Sequence, residues 1–82
     1  MTAEPLDTAV REVLRVVLKT EVSPHTTRAD TPAWDSLRHI ELMFALEEAF
    51  DCRFSEDDLD RLADVPALVA RIGELHAARP GA

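Results

Sequence analysis

Apolar residues return at helical spacing along most of this 82-residue chain, and that period limits the fold more than any other feature. Leu6, Val10, Val13, Leu14 and Val17 set a first helix over residues 5–19. Pro5 falls in its first turn, where a missing N–H costs nothing. Leu42, Met43, Leu46, Ala49 and Phe50 set a second helix over residues 36–50, and Val65, Leu68, Val69, Ile72 and Leu75 set a last one. Between them Ser55-Glu56-Asp57-Asp58 has the form of a helix cap, a serine oxygen followed by early acids. It opens a short helix over residues 56–62. Two glycines, no tyrosine and few β-branched runs argue against a sheet. The expectation is an all-α chain, a small four-helix bundle with a short third helix.

Residues 20–35 show no period and contain Ser23-Pro24, Thr26-Thr27 and Thr31-Pro32. A loop of that length in so small a domain is functional or mobile as a rule. It delivers Asp35 and Ser36, either of which can cap the second helix. Pro66 sits in the first turn of the last helix, which Asp64 caps, and Gly73 weakens that helix by about 1 kcal/mol relative to alanine. Phe54 anchors the connection before the short helix. The chain reads as one domain, structured over residues 5–78, with a frayed tail at 79–82.

Charge is concentrated. Residues 35–64 hold ten acids against three bases, so the net charge of −7 sits in one stretch that begins beside Ser36. Such a field repels nucleic acid and anionic lipid and steers basic protein surfaces. Within it Leu37, Ile40 and Phe44 form a second apolar stripe, apart from the core face and flanked by Glu41, Glu47 and Glu48. Burial by a core that wraps round the helix would explain the stripe. The preferred reading is a partner-docking surface, because apolar groups rimmed by charge mark interfaces.

Other chemistries lack their signatures. His39 is three residues from Ser36, but no Gly-x-Ser-x-Gly elbow or further acid–base partner accompanies them. His25, His39, His76 and Cys52 show no zinc spacing, and residues 51–60 lack the glycine and ligand order of an EF-hand. The lone Cys52, a partly buried apolar residue, cannot form an internal disulfide and fits a reducing compartment. With no membrane-length apolar stretch and no signal region, the expectation is a soluble cytoplasmic monomer.

The segment Trp34-Asp35-Ser36-Leu37-Arg38-His39-Ile40-Glu41-Leu42, continued by Met43-Phe44-Ala45-Leu46-Glu47-Glu48-Ala49-Phe50-Asp51, resembles the second helix of the acyl carrier proteins. The likeness extends through the acidic short helix to Asp64-Val65. It implies that Ser36 receives 4'-phosphopantetheine from coenzyme A through a phosphopantetheinyl transferase. The thiol of that arm would then carry acyl or aminoacyl thioesters between enzymes, the chain itself catalysing nothing. Asp35 would help position the transferase or its metal-bound coenzyme A. Leu37, Ile40 and Phe44 would make apolar contacts with loading and synthase enzymes, while Glu41, Glu47, Glu48 and Asp51 pair with their basic groups.

Three positions depart from the common pattern. Arg38 replaces an acid or neutral residue and would alter partner choice. Trp34 replaces a small residue, either packing on the loop or adding a recognition contact, and is grouped with the docking residues. Ser55 replaces a proline and changes a cap. Together they suggest a discrete carrier of a specialised polyketide, peptide or fatty-acid-like pathway. A long acyl chain could enter the core beside Met43 and Leu46, its depth limited by Phe44, Phe50 and Phe54. The alternative is an unmodified module that docks partners through the acidic second helix.

Overall fold

The computed structural model describes residues 3–77. Four helices follow one another: α1 (Ala3–Leu18), α2 (Ser36–Phe50), α3 (Glu56–Arg61) and α4 (Val65–Ala77). The tail expected to fray at 79–82 lies outside the described residues. α1 packs against both α2 and α4. The core follows the apolar periods: Val10, Leu14 and Leu18 from α1, Leu42, Met43 and Leu46 from α2, and Val65, Leu68 and Ile72 from α4 are all buried. Leu6, Val13, Val17, Phe50, Cys52 and Phe54 pack around this centre, half-buried. One expected core residue, Ala49, is exposed instead. His39, near the other end of the same helix, is buried.

Each helix end has a local cause. Asp35 is the N-cap of α2, its Oδ1 accepting from the Arg38 N–H at 2.9 Å, so Ser36 occupies the first helical position. α1 ends at Lys19 (φ 56°) and α2 at Asp51 (φ 53°), both left-handed. That conformation usually falls to glycine, and here it falls to other residues in a chain with only two glycines. Asp64 opens α4 by accepting from the Ala67 N–H at 2.7 Å. Gly73 on α4 faces Leu6, and a Cβ there would meet Leu6 Cδ2 at an ordinary 3.7 Å, so the residue is not required by crowding.

The interhelical loop is not loose. Thr27 forms an isolated antiparallel bridge with Asp64, with Arg28 N–H donating to the Ala63 carbonyl (2.8 Å) and Val65 N–H to the Thr26 carbonyl (3.1 Å). Within the loop, Thr27 Oγ1 accepts from the Asp30 N–H and Thr31 Oγ1 donates to the Thr27 carbonyl. The Ser/Thr-rich composition read as aperiodic from sequence therefore builds hydroxyl-stabilised turns. They fasten the loop's middle to the start of α4.

α3 has a reciprocal capping box: Ser55 Oγ accepts from the Asp58 N–H (3.1 Å) and Asp58 Oδ2 accepts from the Ser55 N–H (2.9 Å). Asp58 is buried and also receives both carboxylate contacts from Arg71 Nε of α4, at 3.1 Å. Burial alone would raise its pKa. The Ser55 backbone and hydroxyl bonds and the Arg71 guanidinium outweigh that effect and hold its carboxyl below the usual carboxylate range.

A carboxylate depressed in this way stabilises the fold in its ionised form. The contribution is complete above the unfolded-chain value of about 3.9 and is lost as pH falls through the lower folded value. Asp58→Asn is expected to cost about 1 kcal/mol near neutral pH, the typical worth of a helix cap. The gap between wild type and variant in urea midpoint should close on acidification below about pH 4. A gap constant across that range would show that the Asp58 charge does not hold α3.

Candidate functional site

Ser36 stands exposed at the first turn of α2, at the foot of the pinned loop. Two side chains address its neighbourhood. Asp35 is committed to the Arg38 backbone as the cap. Arg28, from the loop, donates from Nη2 to Ser36 Oγ at 3.2 Å. This is the one side-chain bond Arg28 makes, and it has no ion-pair partner among the described residues. Sequence reasoning missed Arg28. Its position in an aperiodic loop carried no signal; only the Thr27–Asp64 bridge brings it to the serine.

His39 is spent elsewhere. It is 4% exposed, and both ring nitrogens are engaged. Nδ1 accepts from Trp34 Nε1–H at 2.9 Å, and Nε2 lies 2.6 Å from the Leu59 carbonyl, to which it donates. An indole N–H can only donate and a carbonyl can only accept, so the pair fixes the neutral tautomer with its proton on Nε2. A ring so occupied has no free nitrogen to take a proton from Ser36. The geometry is that of a structural histidine.

Trp34 is corrected by the same contact. Grouped with the docking residues from sequence, it is 1% exposed, stacked near His39 with ring centroids 6.1 Å apart. It closes the end of the loop onto the core and offers no surface to a partner. The signal was present in the spacing: position 39 shares the helical face of 42, 43 and 46, so a polar residue there needed a buried partner.

The second apolar stripe is on the outside. Leu37 is 67% exposed, Ile40 44% and Phe44 65%, whereas Leu42 and Leu46 on the opposite face are fully buried. Phe44 thus lies away from the core and cannot limit the depth of an acyl chain there. The acids beside the stripe are not equivalent. Glu41 is paired with Arg38 at 3.0 Å, both partly exposed. Glu47 is half-buried and accepts from the Phe54 N–H at 2.8 Å, so it fixes the turn after α2. Glu48 is exposed and makes no side-chain bond among the described residues. Asp51 is exposed at the helix end.

Between α2 and α3 an open groove of about 470 Å³ begins at Ser36. Arg28 borders it on the loop side and Glu56 and Asp60 on the α3 side, with Ile40 and Leu59 between. Among the described residues no cluster of histidine, cysteine and acidic side chains is arranged to hold a metal ion. No described helix is long and apolar enough to cross a membrane.

No family model matches the sequence. The structure is similar to the solution NMR structure of a holo acyl carrier protein from Geobacter metallireducens. The two superpose with a TM-score of 0.78 and 28% sequence identity, over 89% of this chain and 87% of that one. The fold is that of the acyl carrier proteins. An acyl-carrier fold is that of a carrier, not a catalyst, which agrees with the engagement of His39 away from Ser36. The likeness supports a carrier role for this chain. In this chain the long first loop, the second helix beginning at Ser36 and the acidic short helix follow in the order expected from sequence.

Two substitutions separate the inner from the outer face of α2. Phe44→Ala is expected to change stability by no more than about 0.5 kcal/mol, as for other surface positions, whereas Leu46→Ala should cost about 2–5 kcal/mol. Equal losses in chemical denaturation would mean that the outer stripe is part of the fold's own core. Trp34→Phe leaves the buried His39 Nδ1 without its donor and is expected to cost about 1–3 kcal/mol. Retention of wild-type stability in that variant would show that the indole N–H does not hold His39.

Proposed function

We propose that Ser36 is the attachment point of a covalent 4'-phosphopantetheine arm and that the protein carries acyl or aminoacyl thioesters on it. The observation that carries this reading is the serine itself: exposed, first in α2, and contacted by a guanidinium rather than a base. In the transfer, Ser36 Oγ would attack the phosphorus of coenzyme A that bears the pantetheine. Its proton would pass to the transferase, and the bond to adenosine 3',5'-bisphosphate would break. The residues fit the product. A phosphodiester at this position meets the amide end of a 15-residue helix, which favours negative charge, and the Arg28 fork. Asp35, its carboxylate held at the Arg38 N–H, keeps that end of the helix in place during modification. The thiol of the arm supplies the thioester chemistry. The chain supplies the mount.

Partners would be a phosphopantetheinyl transferase, a loading enzyme and synthase enzymes with basic surfaces. Leu37, Ile40 and Phe44 offer the apolar part of such a contact. Glu48 and Asp51 offer charge beside it, with the Arg38–Glu41 pair available for exchange. Exposed charges add little affinity singly and more to encounter rate, which suits a shuttle that must release each partner. Glu47 contributes through the turn it holds rather than as a free carboxylate. The departures at Trp34, Arg38 and Ser55 favour a specialised polyketide, peptide or fatty-acid-like pathway in the cytoplasm.

Incubation with coenzyme A, magnesium and a permissive transferase is expected to add one phosphopantetheine to the wild type by intact mass, and none to Ser36→Ala. The variant should fold as the wild type does, because the cap oxygen belongs to Asp35. A folded, previously unmodified wild type that gains no mass with several transferases would favour the unmodified docking module.

A further inference from the structure

Arg28 is the basic residue bordering a groove whose other charged residues are acids. Its backbone is fixed by the bond from its N–H to the Ala63 carbonyl (2.8 Å) beside the Thr27–Asp64 bridge, so the side chain reaches the site from a fastened base. Its guanidinium is bonded to Ser36 Oγ and to no carboxylate among the described residues, though Glu56 and Asp60 border the same groove. A half-buried arginine left without an acid, in a chain of net charge −7, is an uncommitted cation.

From this arrangement we infer that Arg28 is the positioning residue for the arm's phosphate. It holds the phosphodiester on the loop side of the groove, so that the pantetheine leaves Ser36 in a defined direction. The inference rests on the carrier reading of Ser36. Once Oγ is esterified, the non-bridging oxygens stand two bonds beyond the atom that Arg28 already touches. The guanidinium then exchanges a neutral acceptor for an anionic one and can engage two oxygens at once. On the opposite wall Glu56 and Asp60 repel the same group, so attraction and repulsion act in one direction. Asp35, whose Oδ1 caps α2, makes no bond to Arg28. Lysine would keep the charge at this position but lose the fork.

The test uses the modified full chain. Wild type, Arg28→Gln and Arg28→Lys are treated with coenzyme A and transferase, checked by intact mass and circular dichroism, and compared by ³¹P NMR across a salt series. The wild-type phosphodiester resonance is expected to be displaced and broadened at low salt relative to that of a short peptide carrying the same serine phosphopantetheine diester, and to move back as salt screens the pair. In Arg28→Gln it should sit near the peptide position at every salt concentration, with Arg28→Lys between the two. A Gln resonance that superimposes on the wild type throughout overturns the role of Arg28 and leaves the carrier reading intact. A wild type that takes no arm overturns both. A folded Arg28→Gln protein that cannot be modified, beside a wild type that can, moves Arg28 to the transferase encounter and also overturns the inference.

Discussion

The site depends on a single buried imidazole. His39 joins three segments: the end of the loop through Trp34, α2 through its own backbone, and α3 through the Leu59 carbonyl. The residue is 4% exposed, so losing either partner leaves a ring nitrogen short of a hydrogen bond at the edge of the core. Trp34 directly precedes the Asp35 cap, and the cap directly precedes Ser36. A tryptophan sealed at 1% exposure therefore fixes where the chain turns into α2, and so which way the serine faces. A second histidine performs the matching task at the other end. His76 of α4 donates to the Phe50 carbonyl at 2.7 Å, tying down the last turn of α2. The helix that presents the serine is thus held at both ends by hydrogen bonds from outside its own ladder.

With α2 so fixed, its two apolar faces have separate uses. The inner face is complete: Leu42, Met43 and Leu46 are at most 1% exposed, and no buried side-chain polar atom lacks a partner among the described residues. Nothing in the fold requires Leu37, Ile40 and Phe44 as well. Exposing three large apolar groups on one helix of so small a chain is unfavourable for solubility, and what it leaves available is a contact surface that begins one residue from Ser36. The same helix therefore supplies a core face, the exposed Ser36 and an exposed apolar stripe. Its amphipathicity is weaker than that of α1 because apolar residues stand on both sides.

The parts legible in the sequence were those governed by local rules. The periods of α1, α2 and α4, the Ser55 capping box, the Asp64 cap and the separateness of the outer stripe all follow from residues within a turn or two of one another. The parts that were not legible depend on long-range pairs. The loop gave no period, so neither its attachment to α4 nor the approach of Arg28 to Ser36 could be read. Trp34 was grouped with the docking residues because the position before the cap was read locally, whereas its partner, His39, lies five residues on. His39 was weighed for its nearness to Ser36 rather than for sharing the inner face of the helix. The identity of a buried polar residue was visible; its partners were not.

The acidic stretch shows how a uniform property of sequence divides once it is folded. Ten acids between residues 35 and 64 read as one field. In the structure Asp35, Glu47, Asp58 and Asp64 each hold a backbone N–H, and Glu41 is paired with Arg38. These five shape the fold. Glu48, Glu56, Asp57 and Asp60 make no side-chain bond among the described residues, and these are the charges left to act outward. Glu48 lies on α2 and the other three on α3, where Glu56 and Asp60 border the groove that starts at Ser36. A basic protein approaching that surface is drawn toward the serine over a distance of about 8–10 Å at physiological salt. At Ser36 itself the charged side chain bonded to the hydroxyl is a cation, Arg28. Long-range attraction for basic surfaces and short-range attraction for an anion are thereby separated by distance, so the two need not compete on one set of residues.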